Sequence, residues 1–286
     1  MSVASTFSRL AGSLLILALT APMAMTLPAS AQQPEFFDTP FADGQWNVGR
    51  RLDESQLRYC IDHRDPDWEV AGEIADAIAA ALLLEPQRYV VESDMLSEDI
   101  TKVYAVMLEH CDIHMGFKLI PEGYENWLTL TRAYYETQYI FVTAGPDLKQ
   151  LADLAPSRAI AATMGSLAHL RLVSYLTALP IEKRWPTYPY GTNDVALQAL
   201  VDGTVDVALV WAPSFWAKQR SDPAYANFHT MASTPLPPTS LGVGAIALSN
   251  HTFLRNAVDQ AITALSADGT LAEILESFDF PATVAP

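Results

Sequence analysis

Residues 111–142, CDIHMGFKLIPEGYENWLTLTRAYYETQYIFV, decide the fold of this chain. Their first apolar segment predicts a short buried strand that ends at Gly116. A polar and aromatic loop follows, and the stretch closes on a second run of strand-forming residues. Sites in open α/β sheets form where strands give way to loops. We therefore expect Thr131, Arg132, Tyr134 and Tyr135 to lie beside a ligand, with hinge packing or a salt bridge as the alternative.

The N-terminus has the features of an export signal. Arg9 supplies a positive charge, residues 10–21 form an apolar run, and Ala29-Ser30-Ala31 is a small-residue cleavage site. The alternative, a membrane anchor, fits less well because the run is short for a span and Pro22 ends it. We expect residues 1–31 to be a signal peptide and the rest of the protein to be periplasmic, without membrane insertion.

The chain is strongly acidic. It has 17 Lys and Arg against 33 Asp and Glu, a formal net charge of −16. Such a balance argues against binding to nucleic acid or to anionic membrane surfaces. It is compatible with a basic protein partner or a cationic ligand, and equally with a charge that serves only solubility.

The two cysteines, Cys60 and Cys111, belong to an exported chain and therefore meet an oxidising compartment. Both fall in predicted strands of one lobe, where neighbouring strands can bring the Cα atoms to the ~5.5 Å that a disulfide needs. We expect one disulfide, with two buried free thiols as the alternative. No Cys-x-x-Cys redox motif is present.

Two βαβαβ units, each typical of a parallel sheet, follow one another along the chain. The first has predicted strands at 57–61, 88–91 and 111–115 and helices at 70–84 and 99–108. The second has predicted strands at 159–162, 187–190 and 205–211 and helices at 167–179 and 194–201. Further strands are expected at 139–143, 228–231 and 242–248, and the final helices at 252–266 and 270–278.

This order predicts an α/β fold of two lobes, joined by two crossing strands, around a central cleft. We expect residues 32–56 to form an extended arm and residues 144–238 to form lobe 2. Lobe 1 would consist of residues 57–143 and 239–286. Ligands bind between such lobes, and hinge closure is the expected motion.

Three further residues belong to strand ends that face the predicted cleft. Gly165 and Ser166 open a helix directly after a strand, and backbone N–H groups at a helix start attract anions. The alternative is an ordinary turn between strand and helix. Trp211 ends another strand and is a candidate for stacking on a ligand, or else a core residue that caps the strand.

The acidic loop at residues 62–69 contains Asp62, Asp65, Asp67 and Glu69, oxygen ligands that calcium prefers. It lacks the glycine and the frame of an EF-hand, so we expect a solvated loop and no metal. The six histidines are scattered, and no spacing suggests a nucleophile with its base. We therefore expect neither catalysis nor a cofactor, although a fold alone does not exclude an enzyme.

Residues 57–278 resemble the type II periplasmic solute-binding proteins, which deliver small molecules to ABC transporters. The resemblance rests on LGVGAIALSNHTFLRNAVDQAITALSADGTLAEILESF near the C-terminus and on ALVDGTVDVALVW at residues 199–211. It implies the two-lobed fold described above. Amino-acid-binding relatives usually carry an arginine shortly after their third strand, whereas the matching region here, LIPEGYENW, has none.

A more specific resemblance is to the MxaJ/XoxJ-like branch, found beside quinoprotein alcohol dehydrogenases. Cys60 within LRYCID, Cys111-Asp112, Gly123-Tyr124, residues 128–135 and VALVWAP at 207–213 follow the order of that branch. The loop DHRDPDWE departs from it and retains only Asp62 as a candidate ligand contact. The resemblance implies a non-catalytic accessory protein whose partner is a periplasmic PQQ-dependent alcohol dehydrogenase or its cytochrome. The alternative is the substrate-binding component of an ABC importer for a small polar or organic solute.

Overall fold

The computed structural model describes residues 55–91 and 100–286. The predicted signal peptide lies outside these ranges, and so does the predicted arm apart from its last two residues. Within the described part of the chain, none of the helices combines the length and the apolar character needed to cross a membrane.

The first half of the described chain alternates strands with helices and then enters a long strand. Its elements are β1 (Gln56–Asp62), α1 (Trp68–Ala81), β2 (Glu85–Val91), α2 (Ile100–Glu109), β3 (Ile113–Lys118), β4 (Leu128–Leu130) and β5 (Tyr135–Thr143).

The second half repeats the alternation and ends in a helical pair. Its elements are β6 (Ile160–Thr163), α3 (Leu167–Ala178), β7 (Thr187–Tyr190), α4 (Asn193–Val201), β8 (Val207–Trp211), α5 (Ala212–Ser221), β9 (His229–Met231), β10 (Thr239–Leu248), α6 (Thr252–Ala267), α7 (Thr270–Ser277) and β11 (Thr283–Val284).

The strands pair in the order β2-β1-β3-β10-β5-β8-β6-β7. The trio β2-β1-β3 is parallel and so is the trio β8-β6-β7, while β10 and β5 run antiparallel to each other and to their outer neighbours. Two trios of parallel strands are thus joined within one sheet by β10 and β5. This is the predicted α/β architecture with two crossing strands; the lobe boundaries remain a prediction.

Helix α1 shows how sequence periodicity sets the packing. Val70, Ile74 and Ile78 recur at four-residue spacing and are fully buried, with α6 and α7 packed alongside the helix. A helix that buries such a stripe is held by tertiary packing more than by its intrinsic propensity.

Strand β10 allows an unusually close backbone approach. A Cβ on Gly242 would lie 2.8 Å from the Cβ of Ala133, and one on Gly244 would lie 2.9 Å from the carbonyl oxygen of Arg132. Strands β4 and β5 both pair antiparallel with β10, and the segment between them bulges against β10 at these two glycines. This bulge fixes where residues 131–133 can point.

Several elements differ from the sequence-based expectation. Strand β3 continues past Gly116, its predicted end, to Lys118, and the short strands β4 and β11 were not predicted. The strand predicted at 139–143 begins at Tyr135, because its first residues pair with β10. The run after Trp211 was predicted only as a strand end, but helix α5 starts there with Pro213 in its first turn. Proline lacks a backbone N–H and is well tolerated at that position.

The predicted disulfide is present and joins Cys60 to Cys111, with a Cα–Cα distance of 5.6 Å. Cys60 lies in β1 as predicted, whereas Cys111, which was predicted to open the third strand, lies just before β3. Both residues are buried in a cluster that includes Met107, Trp127 and Ile246. The bond closes a sequence separation of 51 residues across the first parallel trio.

We predict that replacing both Cys60 and Cys111 by alanine lowers the free energy of unfolding by about 2–5 kcal/mol, because the open chain gains conformational freedom. Urea unfolding followed by circular dichroism measures this loss. Reduced wild-type protein should match the double variant, and an unfolding midpoint unaffected by reductant would contradict the prediction.

Candidate ligand-binding cleft

The two parallel trios meet where β3 and β8 end. Lys118, the last residue of β3, places its Nζ 4.7 Å from the centre of the Trp211 ring at the end of β8. The same ammonium lies 5.7 Å from the centre of the Tyr139 ring, and the two rings are 4.9 Å apart. A cation over aromatic faces is attracted by the ring quadrupole. We call the junction bounded by Asp65, Lys118, Tyr139, Asn193 and Trp211 the interlobe cleft.

Asn193 organises the β8 side of the interlobe cleft. Its Oδ1 accepts hydrogen bonds from the Thr163 hydroxyl at 2.7 Å and from the Trp211 backbone N–H at 3.1 Å. One side chain thereby ties the ends of β6 and β8 together. Sequence analysis missed Asn193, since only the fold brings the start of α4 beside the two strand ends.

Gly165 and Ser166 form the turn from β6 into α3, as predicted. Gly165 has a φ of +77° and a Cβ there would meet no atom within 4 Å, so the space beside it is open. The Ser166 hydroxyl accepts a hydrogen bond from the His169 N–H at 3.1 Å and so caps the helix. Their ligand-binding role stays a prediction, and the hydroxyl already has a structural partner.

Asp62 at the end of β1 is paired within its own loop. The Arg64 guanidinium donates from Nε to Asp62 Oδ1 at 2.9 Å, and the Arg64 backbone N–H donates to the same oxygen at 3.0 Å. Burial alone would raise the pKa of Asp62, but these bonds outweigh it and lower the pKa. A ligand cation would therefore compete with Arg64 for this carboxylate.

Asp65 and Asp67 form an acidic pair at the β1 side of the interlobe cleft. Asp67 is buried and accepts a hydrogen bond from the Tyr135 hydroxyl, while Asp65 is partly exposed. Burial and then the charges of Asp67 and Asp62 raise the pKa of Asp65 well above its usual range, and Lys118 opposes this shift. Burial also raises the pKa of Asp67. A further positive charge beside Asp65 would therefore lower its pKa and stabilise its charged form.

The sequence predicted this pair only as part of a solvated acidic loop without a metal. Among residues 55–91 and 100–286, no group of three or more His, Cys, Asp or Glu side chains has a geometry that could hold a metal ion. Asp62 instead pairs with Arg64, and Asp67 accepts a hydrogen bond from Tyr135. Asp65 faces Gly116, where a Cβ atom would lie 3.1 Å from Asp65 Oδ2.

Tyr134 and Tyr135 are both fully buried. The Tyr134 hydroxyl accepts a hydrogen bond from the Gly116 N–H at 2.9 Å, and that of Tyr135 donates to Asp67. Both hydroxyls are therefore occupied within the protein. This placement favours the packing alternative for the two tyrosines over direct contact with a ligand.

Thr131 and Arg132 lie in the bulge between β4 and β5, against β10. Thr131 Oγ1 accepts from the Ala245 N–H at 2.9 Å, and the Arg132 guanidinium donates to Thr263 Oγ1 at 2.5 Å and to the Pro286 carbonyl at 2.9 Å. Both side chains bond this bulge to neighbouring elements, so the structure does not bring them together with Trp211 and Gly165. The placement favours the structural alternative for both residues.

The placement of Trp211 favours the core alternative, and its stacking on a ligand stays a prediction. Its side chain is 3 % exposed, so it is a core residue that caps β8. Its ring nevertheless contacts Lys118 from the opposite trio. Burial raises the pKa of the adjacent Tyr139 to about 12, so this phenol stays neutral at physiological pH.

Comparisons with known proteins identify the fold. No protein-family model matches the chain, and no curated protein matches it. Solved structures match at low identity. A histidine kinase sensor domain with similarity to periplasmic binding proteins is 15% identical, with a TM-score of 0.58, over 82% of this chain and 100% of that one.

Two further structures are named as binding proteins. An ancestral arginine-binding protein bound to glutamine is 16% identical, with a TM-score of 0.54, over 80% of this chain and 99% of that one. An arginine 3rd transport system periplasmic binding protein from Legionella pneumophila is 13% identical, with a TM-score of 0.55, over 78% and 100%. The chain therefore has the two-lobed periplasmic-binding-protein fold predicted from its sequence.

We predict that Asp65→Asn stabilises the protein at neutral pH. The unfolded carboxyl titrates near pH ~3.9, and its folded pKa is higher. As the pH rises from ~3.9 through the folded pKa, the unfolded state releases a proton that the native state retains, so wild-type stability falls. Asparagine removes this loss.

Thermal melts of wild type and Asp65→Asn across pH 3–8 test this expectation, and the two melting temperatures should converge at the acidic end. Asp147→Asn, at an exposed turn, is the matched control and should follow wild type throughout. A variant that melts below wild type at pH 7 would contradict the assignment.

We predict that Arg132→Gln lowers the free energy of unfolding by about 1–3 kcal/mol, because two hydrogen bonds from a charged donor are lost. The affinity for any ligand found to bind the protein should stay unchanged. Urea unfolding and a binding titration provide the two measurements. A large loss of affinity with unchanged stability would return Arg132 to the ligand site.

Proposed function

We propose that this protein is the substrate-binding component of an importer and binds a small polar organic solute in the interlobe cleft. The observation that carries the proposal is the approach of Lys118, from one parallel trio, to Trp211, from the other. Groups from both halves at one junction allow a ligand to hold the halves together. The likeness to structures named as binding and transport proteins supports this function.

The chemistry of the interlobe cleft suits a ligand with charges of both signs. Lys118 offers an ammonium group, and Asp65 offers a carboxyl group whose raised pKa a ligand cation would lower again. The Trp211 and Tyr139 rings are buried and pack against Lys118, so they position its ammonium group at this junction. Lys118 also provides positive charge on the side of β3, where amino-acid-binding relatives usually use an arginine. We therefore infer an amino acid or a related amino-carboxylate as the substrate class.

We infer that the protein acts outside the cytoplasm and by binding, without catalysis. The structural neighbours named above are periplasmic binding proteins, or a sensor domain with similarity to them. The predicted signal peptide agrees with this location.

A second candidate is the accessory role beside a PQQ-dependent alcohol dehydrogenase or its cytochrome, which the sequence resemblance implies. One observation favours it: the disulfide joins the two cysteines on which that resemblance rests. In this role the protein would bind the enzyme through its surface, and no solute would be needed in the cleft.

A thermal-shift screen with amino acids, amines and carboxylates tests the importer proposal. A solute that binds only the native state raises the free energy of unfolding by about 2.7 kcal/mol at a hundred times its Kd. The melting temperature rises with it. We expect at least one amino-carboxylate to do so. No shift with any solute, together with binding to the apo-dehydrogenase, would favour the accessory role instead.

We predict that Lys118→Met weakens binding of the solute found in that screen by about tenfold or more, since a charge-assisted contact of ~1.5 kcal/mol is lost. Isothermal titration measures the change. Lys183→Met, on an exposed surface, is the control and should bind as wild type does. Equal affinity in all three proteins would place the ligand elsewhere.

A further inference from the structure

Most of the large exposed apolar side chains in the described ranges lie in one segment of the chain, residues 144–238, which we call the neutral unit for its charge given below. Of the eleven large apolar side chains that stand exposed in the described ranges, seven lie between residues 164 and 195. Five of them follow helix α3 and its two ends, and we call these the α3 face. The α3 face consists of Met164, Leu167, Leu170, Val173 and Ile181.

The α3 face is separate from the side of the helix that packs on the sheet. Ala168, Leu172 and Leu176 are buried, whereas Leu170 on the opposite side is 59% exposed. Ile181, one turn beyond the end of the helix, is 79% exposed. The exposed side chains within α3 thus lie on the side of the helix that faces away from the sheet. Large exposed apolar patches on monomeric proteins mark interaction sites.

The unit that carries the α3 face differs in charge from the rest of the chain. Residues 144–238 contain seven Lys or Arg and seven Asp or Glu, so they are formally neutral. The whole net charge of −16 therefore resides outside them. Two copies of this acidic chain repel each other through most of their surface, but not through this unit.

We propose that the α3 face binds a second copy of this chain in a symmetric dimer. A twofold axis across the middle of α3 would set the two helices antiparallel. The start of one helix, beside Met164, would then lie against the end of the other, beside Ile181. The apolar residues at the two ends make the stripe complementary to itself, as an isologous interface requires. The opposed helix dipoles also attract each other.

This arrangement keeps the charged parts of the two copies apart. A partner that approached through the neutral unit would need no complementary charge, and a second copy brings an equally neutral and equally apolar surface. The inference uses no ligand, so it stands independently of the proposed function.

Sedimentation velocity of the exported chain over a wide range of protein concentration tests the dimer. We expect wild type to convert from monomer to dimer as its concentration rises. Leu170→Glu and Ile181→Glu should each remain monomeric, since each places two like charges in an apolar contact. Because both side chains are exposed, both variants should keep the wild-type melting temperature.

Phe253→Glu is the matched control, since Phe253 is 89% exposed but lies on α6 outside the neutral unit. It should dimerise as wild type does. Wild type that stays monomeric at every concentration would overturn the proposal, and so would equal dimerisation of wild type, Leu170→Glu and Ile181→Glu.

Discussion

The antiparallel pairing of β5 with β10 is the constraint on which the rest of the structure depends. Each strand serves both halves of the sheet: β10 pairs with β5 through residues 239–243 and with β3 through its later residues, and β5 pairs with β8 from Tyr139 onward. No independent docking of two domains is needed, because the same two strands hold both parallel trios. Their register decides which strand ends approach each other.

The acidic loop shows what the proposed binding site would cost in stability. Burial disfavours the charged forms of Asp65 and Asp67, and the charge of Asp67 further disfavours that of Asp65. Such an arrangement weakens the unliganded protein at neutral pH and leaves a carboxyl group that a cationic group can relieve. Sites that sacrifice stability in this way are candidates for function, since packing alone gives no reason for them.

Local patterns were sufficient to predict the architecture. The apolar spacing in α1 and the repeated strand–helix order predicted both parallel trios, and the two cysteines predicted their disulfide. These features depend on residues close in sequence or on a simple alternation. The start of α5 was missed because a proline after Trp211 resembled a strand end, although proline is equally suited to begin a helix.

The cleft residues required the tertiary structure. Lys118, Asn193 and Asp65 come from three separate segments, and no spacing connects them. Arg132 and the tyrosines were predicted to contact a ligand from a motif around the start of β5, but a motif does not show how the segment between β4 and β5 will lie against β10. The glycines at 242 and 244 decide this, since they let residues 131–133 lie close against the strand and direct Arg132 toward α6.

The central claim is that the ends of β3 and β8 share one cleft, and a double-mutant cycle between Lys118 and Trp211 tests it most directly. Unfolding free energies are measured for wild type, Lys118→Met, Trp211→Leu and the double variant. A direct contact predicts a coupling energy of about 0.5–2 kcal/mol. Changes that add within ~0.3 kcal/mol would show that the two side chains do not meet, and would contradict the account.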